Sequence, residues 1–178
     1  MQFKASFVAA FLLAATPAFG FSVPEGTKDG IYIVGRDAAG QEVHTRAADV
    51  SPDGLASRSI RGAPRMKRDG LDEIGCFDQP VMVANDVGSA VNALRDQIGP
   101  DGYNLGSHLG LYSIVGETVA YCCNNRSQGN TCFLSSQAES NALITARCGS
   151  SQPGYAYDSG AHLTYGYQHK TYSWCPES

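Results

Sequence analysis

Six cysteines, Cys76, Cys122, Cys123, Cys132, Cys148 and Cys175, are the residues whose chemistry their spacing constrains most, and all lie beyond position 75. An even number packed into a short segment is the pattern of a disulfide framework. Cys122 and Cys123 are neighbours. On a strand, adjacent side chains point to opposite faces, and Cα atoms about 3.8 Å apart fall short of the roughly 4.4–6.8 Å that a disulfide spans. The two are therefore expected to bond to different partners. No C-x-x-C knuckle occurs among the six, so a zinc site is not indicated and neither a metal nor another cofactor is expected.

Beyond position 75 the histidines are His108, His162 and His169, with Glu117, Asp158 and Arg147 as conceivable partners. Histidine with glutamate is the equipment of a small ribonuclease, in which one group removes the 2′-hydroxyl proton and another protonates the leaving oxygen. The set considered is His108 or His162 with Glu117. No spacing ties these residues together, and no Ser-His-Asp motif, phosphate loop or carboxylate pair stands out, so no catalytic residue is assigned. Aromatic residues crowd the C-terminal part: Tyr155, Tyr157, Tyr165, Tyr167, Tyr172 and Trp174. On an extended strand Tyr165 and Tyr167 share a face, as do Tyr172 and Trp174, and these four are the candidate binding residues for sugar rings or a protein partner. The competing reading is ordinary sheet packing, for which aromatics have high propensity. Asn125-Arg126-Ser127 is a glycosylation sequon, with Asn125 as acceptor.

Residues 74–83 are β-prone despite Pro80, which suggests an edge strand or a bulge. Asn85-Asp86 offers a helix cap, and Val87, Ala90, Val91, Leu94 and Ile98 form one apolar helical face that ends at Gly99-Pro100. Residues 109–114 and 118–123 read as a hairpin around Val115-Gly116-Glu117. Ser136-Gln137-Ala138-Glu139 is a capping-box sequence, predicting a second helix from there to Cys148-Gly149 with Ala138, Ala142, Leu143 and Ala146 on its face. Residues 154–157 and 163–174 read as extended. The expected fold class is α+β: an antiparallel sheet with two helices packed on one face, in β-α-β-β-α-β order, stabilised by disulfides.

Ahead of this segment, residues 1–20 have the parts of a secretory signal: Lys4, an apolar run over residues 7–15, and the small residues Ala18 and Gly20. That run is shorter than the roughly 20 apolar residues of a membrane span. Residues 31–34 and 42–45 suggest a hairpin turning over residues 35–40. Residues 47–68 are rich in Ser, Pro, Gly and Arg and end in Lys67-Arg68, the pattern recognised by dibasic processing proteases. The expected organisation is a signal peptide at 1–20, a pro-segment at 21–68 and a mature cysteine-rich domain at 69–178. That last segment carries four basic against eleven acidic side chains, a net charge of −7. Such a domain repels phosphate backbones and anionic lipid, so no nucleic-acid partner is expected.

The combination of Val119-Ala120-Tyr121-Cys122-Cys123-Asn124, Thr131-Cys132, Arg147-Cys148-Gly149, Tyr165-Gly166-Tyr167 and Cys175, behind Asp29-Gly30-Ile31-Tyr32 and a kexin-type Lys67-Arg68, resembles small secreted cysteine-rich proteins of filamentous fungi. Many of these are treated as candidate effectors. The order of elements is also similar to that of smut-fungus killer toxins and their effector relatives, from whose cysteine pattern this chain departs. The resemblance implies a secreted, extracellular virulence or toxin-like protein that binds a host or competitor protein or glycan. The alternatives are a secreted ribonuclease or other hydrolase, and a carbohydrate-binding protein of the cell wall.

Overall fold

The computed structural model describes residues 20–48 and 71–175. Among them the chain forms β1 (Gly30–Arg36), β2 (Glu42–Ala48), β3 (Glu73–Cys76), α1 (Ala84–Ile98), β4 (Tyr103–Leu105), β5 (Gly110–Val115), β6 (Thr118–Asn124), β7 (Asn130–Cys132), α2 (Leu134–Cys148), β8 (Gly154–Asp158) and β9 (Leu163–His169). Seven strands make one sheet in the order β2-β1-β5-β6-β9-β8-β3, every neighbouring pair antiparallel, and β4 pairs with β7 separately. The fold is thus α+β with an antiparallel sheet, two helices and three disulfides. The order β-α-β-β-α-β is not the order of the chain, because three strands precede the first helix and the β4–β7 ladder is inserted between the helices. Lys67 and Arg68 lie outside the described residues.

Strand alternation sorts the core into two clusters. Across the sheet, Ile33, Leu111, Cys122, Tyr165, Ala156 and Ile74 stand in one register row. They pack with Ala90 and Leu94 of α1 and Ile144 of α2. The adjoining row points the other way and reads Arg46, Tyr32, Tyr112, Tyr121, Gly166, Tyr155, Gly75, one residue from each of the seven strands. Its glycines make room for the neighbouring rings. A Cβ on Gly166 would meet the Tyr121 hydroxyl at 2.5 Å, and one on Gly75 would meet the Tyr155 ring at 2.1 Å.

The hairpin β1–β2 belongs to this same body. β1 lies between β2 and β5, and Ile31, Tyr32 and Val34 are buried. Phe21 is bridged to Trp174 by backbone hydrogen bonds in both directions, Phe21 N–H to Trp174 C=O at 2.7 Å and Trp174 N–H to Phe21 C=O at 2.9 Å. Residues 74–83 are strand only as far as Cys76: β3 forms a sheet edge, and the rest of that stretch, Pro80 included, is loop.

The helices follow their sequence signals unequally. α1 buries Val87, Ala90, Val91, Leu94 and Ile98 as the spacing predicts, and it stops at Gly99, whose φ of 67° is left-handed and suits glycine. Neither cap is built as expected. α1 starts at Ala84 after Val83, and α2 starts at Leu134 after Phe133, both without a side-chain cap. Ser136 therefore falls inside α2, where it is buried, and the capping box does not form. The buried face of α2 is Ser136, Gln137, Ser140 and Ile144, while Ala142 and Ala146 are exposed. One of these polar groups is satisfied within the helix, the Ser140 hydroxyl donating to the Ser136 carbonyl at 2.7 Å.

Candidate functional site

The cysteines pair as Cys76–Cys148, Cys122–Cys132 and Cys123–Cys175, with Cα separations of 5.6, 6.3 and 5.8 Å. Cys122 and Cys123 face opposite sides of β6 and bond to different partners, as the strand argument requires. Cys122 lies in the helix-side cluster and Cys123 in the tyrosine-side cluster. With all six thiols oxidised none remains to bind a metal, and among the described residues no group of three or more His, Cys, Asp or Glu could hold one. Such a set of bonds is consistent with an oxidising, extracellular setting. No helix among the described residues is long and apolar enough to cross a membrane.

The four candidate binding aromatics separate. Tyr165 and Tyr167 are 0% and 2% exposed beneath the helices, and Trp174 is 0% exposed on the opposite face. The Tyr165 hydroxyl accepts the Phe133 N–H at 3.2 Å at the start of α2. Trp174 sits against Tyr112 and Tyr121, with ring centroids 4.7 and 5.2 Å away. These three rings are interior packing and cannot form a surface platform as they stand. Tyr172 differs, being 44% exposed. It follows β9 in a turn closed by its N–H to the His169 carbonyl at 3.1 Å.

The loop that leaves β3 is brought beside this turn by His169. The His169 Nε2 lies 3.1 Å from the Pro80 carbonyl, and its backbone N–H donates to Gln79 Oε1 at 3.4 Å. Next to Pro80 stands Val81, a large apolar side chain 67% exposed. Pro80 and Val81 are thus exposed on that loop and Tyr172 on the turn, and the half-buried His169 ties the two segments together, its ring centroid 6.4 Å from that of Tyr172. Reading residues 74–83 as strand hid Val81.

The histidines considered for catalysis are not assembled with their glutamate. His108 and His162 are both exposed and reach the same end of the sheet: His108 N–H donates to the Arg126 carbonyl, and Asn125 N–H donates to the His162 carbonyl, each at 3.0 Å. Glu117 stands at the opposite end of β6, separated by its seven residues, a distance of about 23 Å at the usual strand rise. There it pairs with Lys170 at 2.9 Å. His162 instead meets the Tyr157 hydroxyl at 3.0 Å, and His108 borders a depression that Arg36 and Phe21 also line. Arg36 is already engaged by the carbonyls of Gly20 and Gly40 and by Glu42. Asn125, the sequon residue, is half-buried, and its Nδ2 donates to Thr164 Oγ1 at 3.0 Å.

Neither a protein-family model, nor a curated protein, nor a solved structure matches the chain.

Proposed function

We propose that this is a secreted, effector- or toxin-like protein that acts by binding a host or competitor protein or glycan, with the cluster around Tyr172 and Val81 as its contact surface. The single observation that carries the reading is the contrast in exposure: Tyr172 and Val81 are open to solvent at 44% and 67%, while Tyr165, Tyr167 and Trp174 are sealed in the interior. An exposed tyrosine, on a turn tied by His169 to a loop that carries an exposed aliphatic side chain, offers large contact area at little conformational cost. A ribonuclease is less well supported, because Glu117 lies at the far end of β6 from His108 and His162. The signal peptide at residues 1–20, the dibasic cut after Arg68 and the three disulfides agree with export.

The test pairs Tyr172→Ala with Val81→Ser in the secreted protein. Both variants should keep the wild-type melting temperature within about 2 °C, since surface changes usually cost under 0.5 kcal/mol. Together they should abolish activity in a host-response or competitor-growth assay. Retained activity would remove this surface from the reading. RNA and insoluble chitin, glucan and cellulose should be left uncleaved; turnover of RNA that His108→Ala abolishes would replace the binding reading with the enzyme.

A further inference from the structure

The hairpin β1–β2 is built into the sheet although no covalent bond beyond the chain itself secures it. All three disulfides lie between Cys76 and Cys175, so none reaches it. What holds it is a noncovalent seat. β1 pairs with β5 in register from Gly30 opposite Ile114 to Val34 opposite Gly110. Val34 is 0% exposed, and Ile31 and Phe21 are buried in the two separate core clusters. The Tyr32 ring stacks on Tyr112 at 5.2 Å, His44 Nδ1 lies 2.7 Å from the Tyr112 hydroxyl, and Gly116 N–H donates to the Asp29 carboxylate at 3.2 Å. Phe21 adds the double backbone bridge to Trp174.

The sheet order sharpens the point. β2 is one edge strand and β3 is the other, so the chain leaves the sheet at one side and re-enters at the opposite side. The pairing of β1 with β5 therefore does not use the intervening connection as a turn. That connection, residues 49–70, contains Lys67-Arg68.

We infer that cutting at the dibasic pair does not release the preceding segment: the product is a two-chain protein in which the hairpin stays in the sheet as a noncovalent subunit. The reaction is hydrolysis by a dibasic-specific processing protease. One water is consumed, the Arg68–Asp69 peptide bond breaks, and a carboxylate at Arg68 and an amine at Asp69 appear. What the cut removes is the covalent tether, with its chain-closure entropy and local concentration. Releasing the hairpin would instead bare Leu111, Tyr112 and Ile114 and leave the β5 edge open, a template for aggregation. In this reading residues 21–48 are a permanent part of the mature molecule as well as an aid to its folding.

The experiment is digestion of the folded, full-length secreted protein with a kexin-type protease, followed by mass spectrometry under denaturing and under native conditions, both without reductant. The denaturing spectrum should show two chains, one ending at Arg68 and one beginning at Asp69. The native spectrum should show a single species containing both. The melting temperature of the cut protein should fall on tenfold dilution, while that of the uncut chain stays constant. A native species lacking the hairpin overturns retention, and a chain that stays uncut overturns the cut. Trypsin, which cleaves after Arg58, Arg61 and Arg65 in the connection and can also cleave after Lys28, Arg36 and Arg46, tests retention independently: loss from its native product of a 21–48 segment that the denaturing spectrum shows intact would refute the inference even if the dibasic pair resists.

Discussion

On one face of the sheet, two regular helices cover Leu111, Ala120 and Tyr165; on the other, Tyr112 and Tyr121 are covered by Trp174 and Phe21, which come from segments outside any helix. The helix side uses aliphatic interdigitation, with Leu94 and Ile144 inserted among strand side chains. The tyrosine side uses a register row of rings, two of which lean over glycines on adjacent strands. Its cover is held by point ties: the Cys123–Cys175 bond, the Phe21–Trp174 bridge, and Gln168 Nε2 donating to the carbonyls of Tyr172 and Ser173 at 3.0 and 2.9 Å. A helix brings its own backbone bonding to the surface it covers. An irregular strap must be fastened, and this one is fastened by a disulfide, a glutamine and the backbone bridge to Phe21.

The largest effect should come from removing the ring at the centre of the strap. Trp174→Ala is expected to cost about 3–5 kcal/mol, at or above the roughly 2–5 kcal/mol of Leu94→Ala on the helix side. Urea midpoints of the two variants, measured at equal denaturant sensitivity, give the comparison. A Trp174→Ala loss under about 1 kcal/mol would mean that the strap is only loosely applied and that the disulfide alone closes this face.

The same contrast explains what could be read from sequence. α1 was legible because its buried positions are apolar at helical spacing. α2 was legible in extent but not in facing, because Ser136, Gln137 and Ser140 lie inside while the more apolar Ala142 and Ala146 lie outside. The separate partners of Cys122 and Cys123 followed from strand alternation and the short Cα separation of neighbours. The place of Tyr165, Tyr167 and Trp174 did not follow, since aromatic alternation fits either a packed or an open face until the covering element is known. Nor could the pairing of β1 with β5 be read, because it joins residues roughly 80 positions apart across a linker, and local patterning carries no information on such register.

A medium effect, dependent on pH, should arise where the hairpin meets the tyrosine row. Burial lowers the pKa of His44 from its ordinary value of 6.5, against the opposing pull of the Glu42 carboxylate 3.6 Å away. The neutral ring faces the Tyr112 hydroxyl, which burial also keeps protonated. The unfolded chain then takes up the proton first. The stability this group contributes is fully present above about pH 6.5 and is lost as pH falls through the lowered folded value. His44→Gln should flatten the melting temperature over that interval. An unchanged acid slope in the variant would move the sensitivity to another group.

The smallest effect separates two adjacent tyrosines of the row. Tyr112 and Tyr121 are both 0% exposed, yet the Tyr112 hydroxyl has His44 as a partner and the Tyr121 hydroxyl has none among the described residues. Burial raises the pKa of both, so neither ionises near neutrality. A buried hydroxyl without a partner retains its desolvation cost, whereas a paired one returns about 0.5–1.5 kcal/mol. Tyr121→Phe should therefore leave stability unchanged or raise it slightly, and Tyr112→Phe should lower it by about 1 kcal/mol. If Tyr121→Phe instead loses as much as Tyr112→Phe, the Tyr121 hydroxyl has a bound water as partner on the tyrosine side.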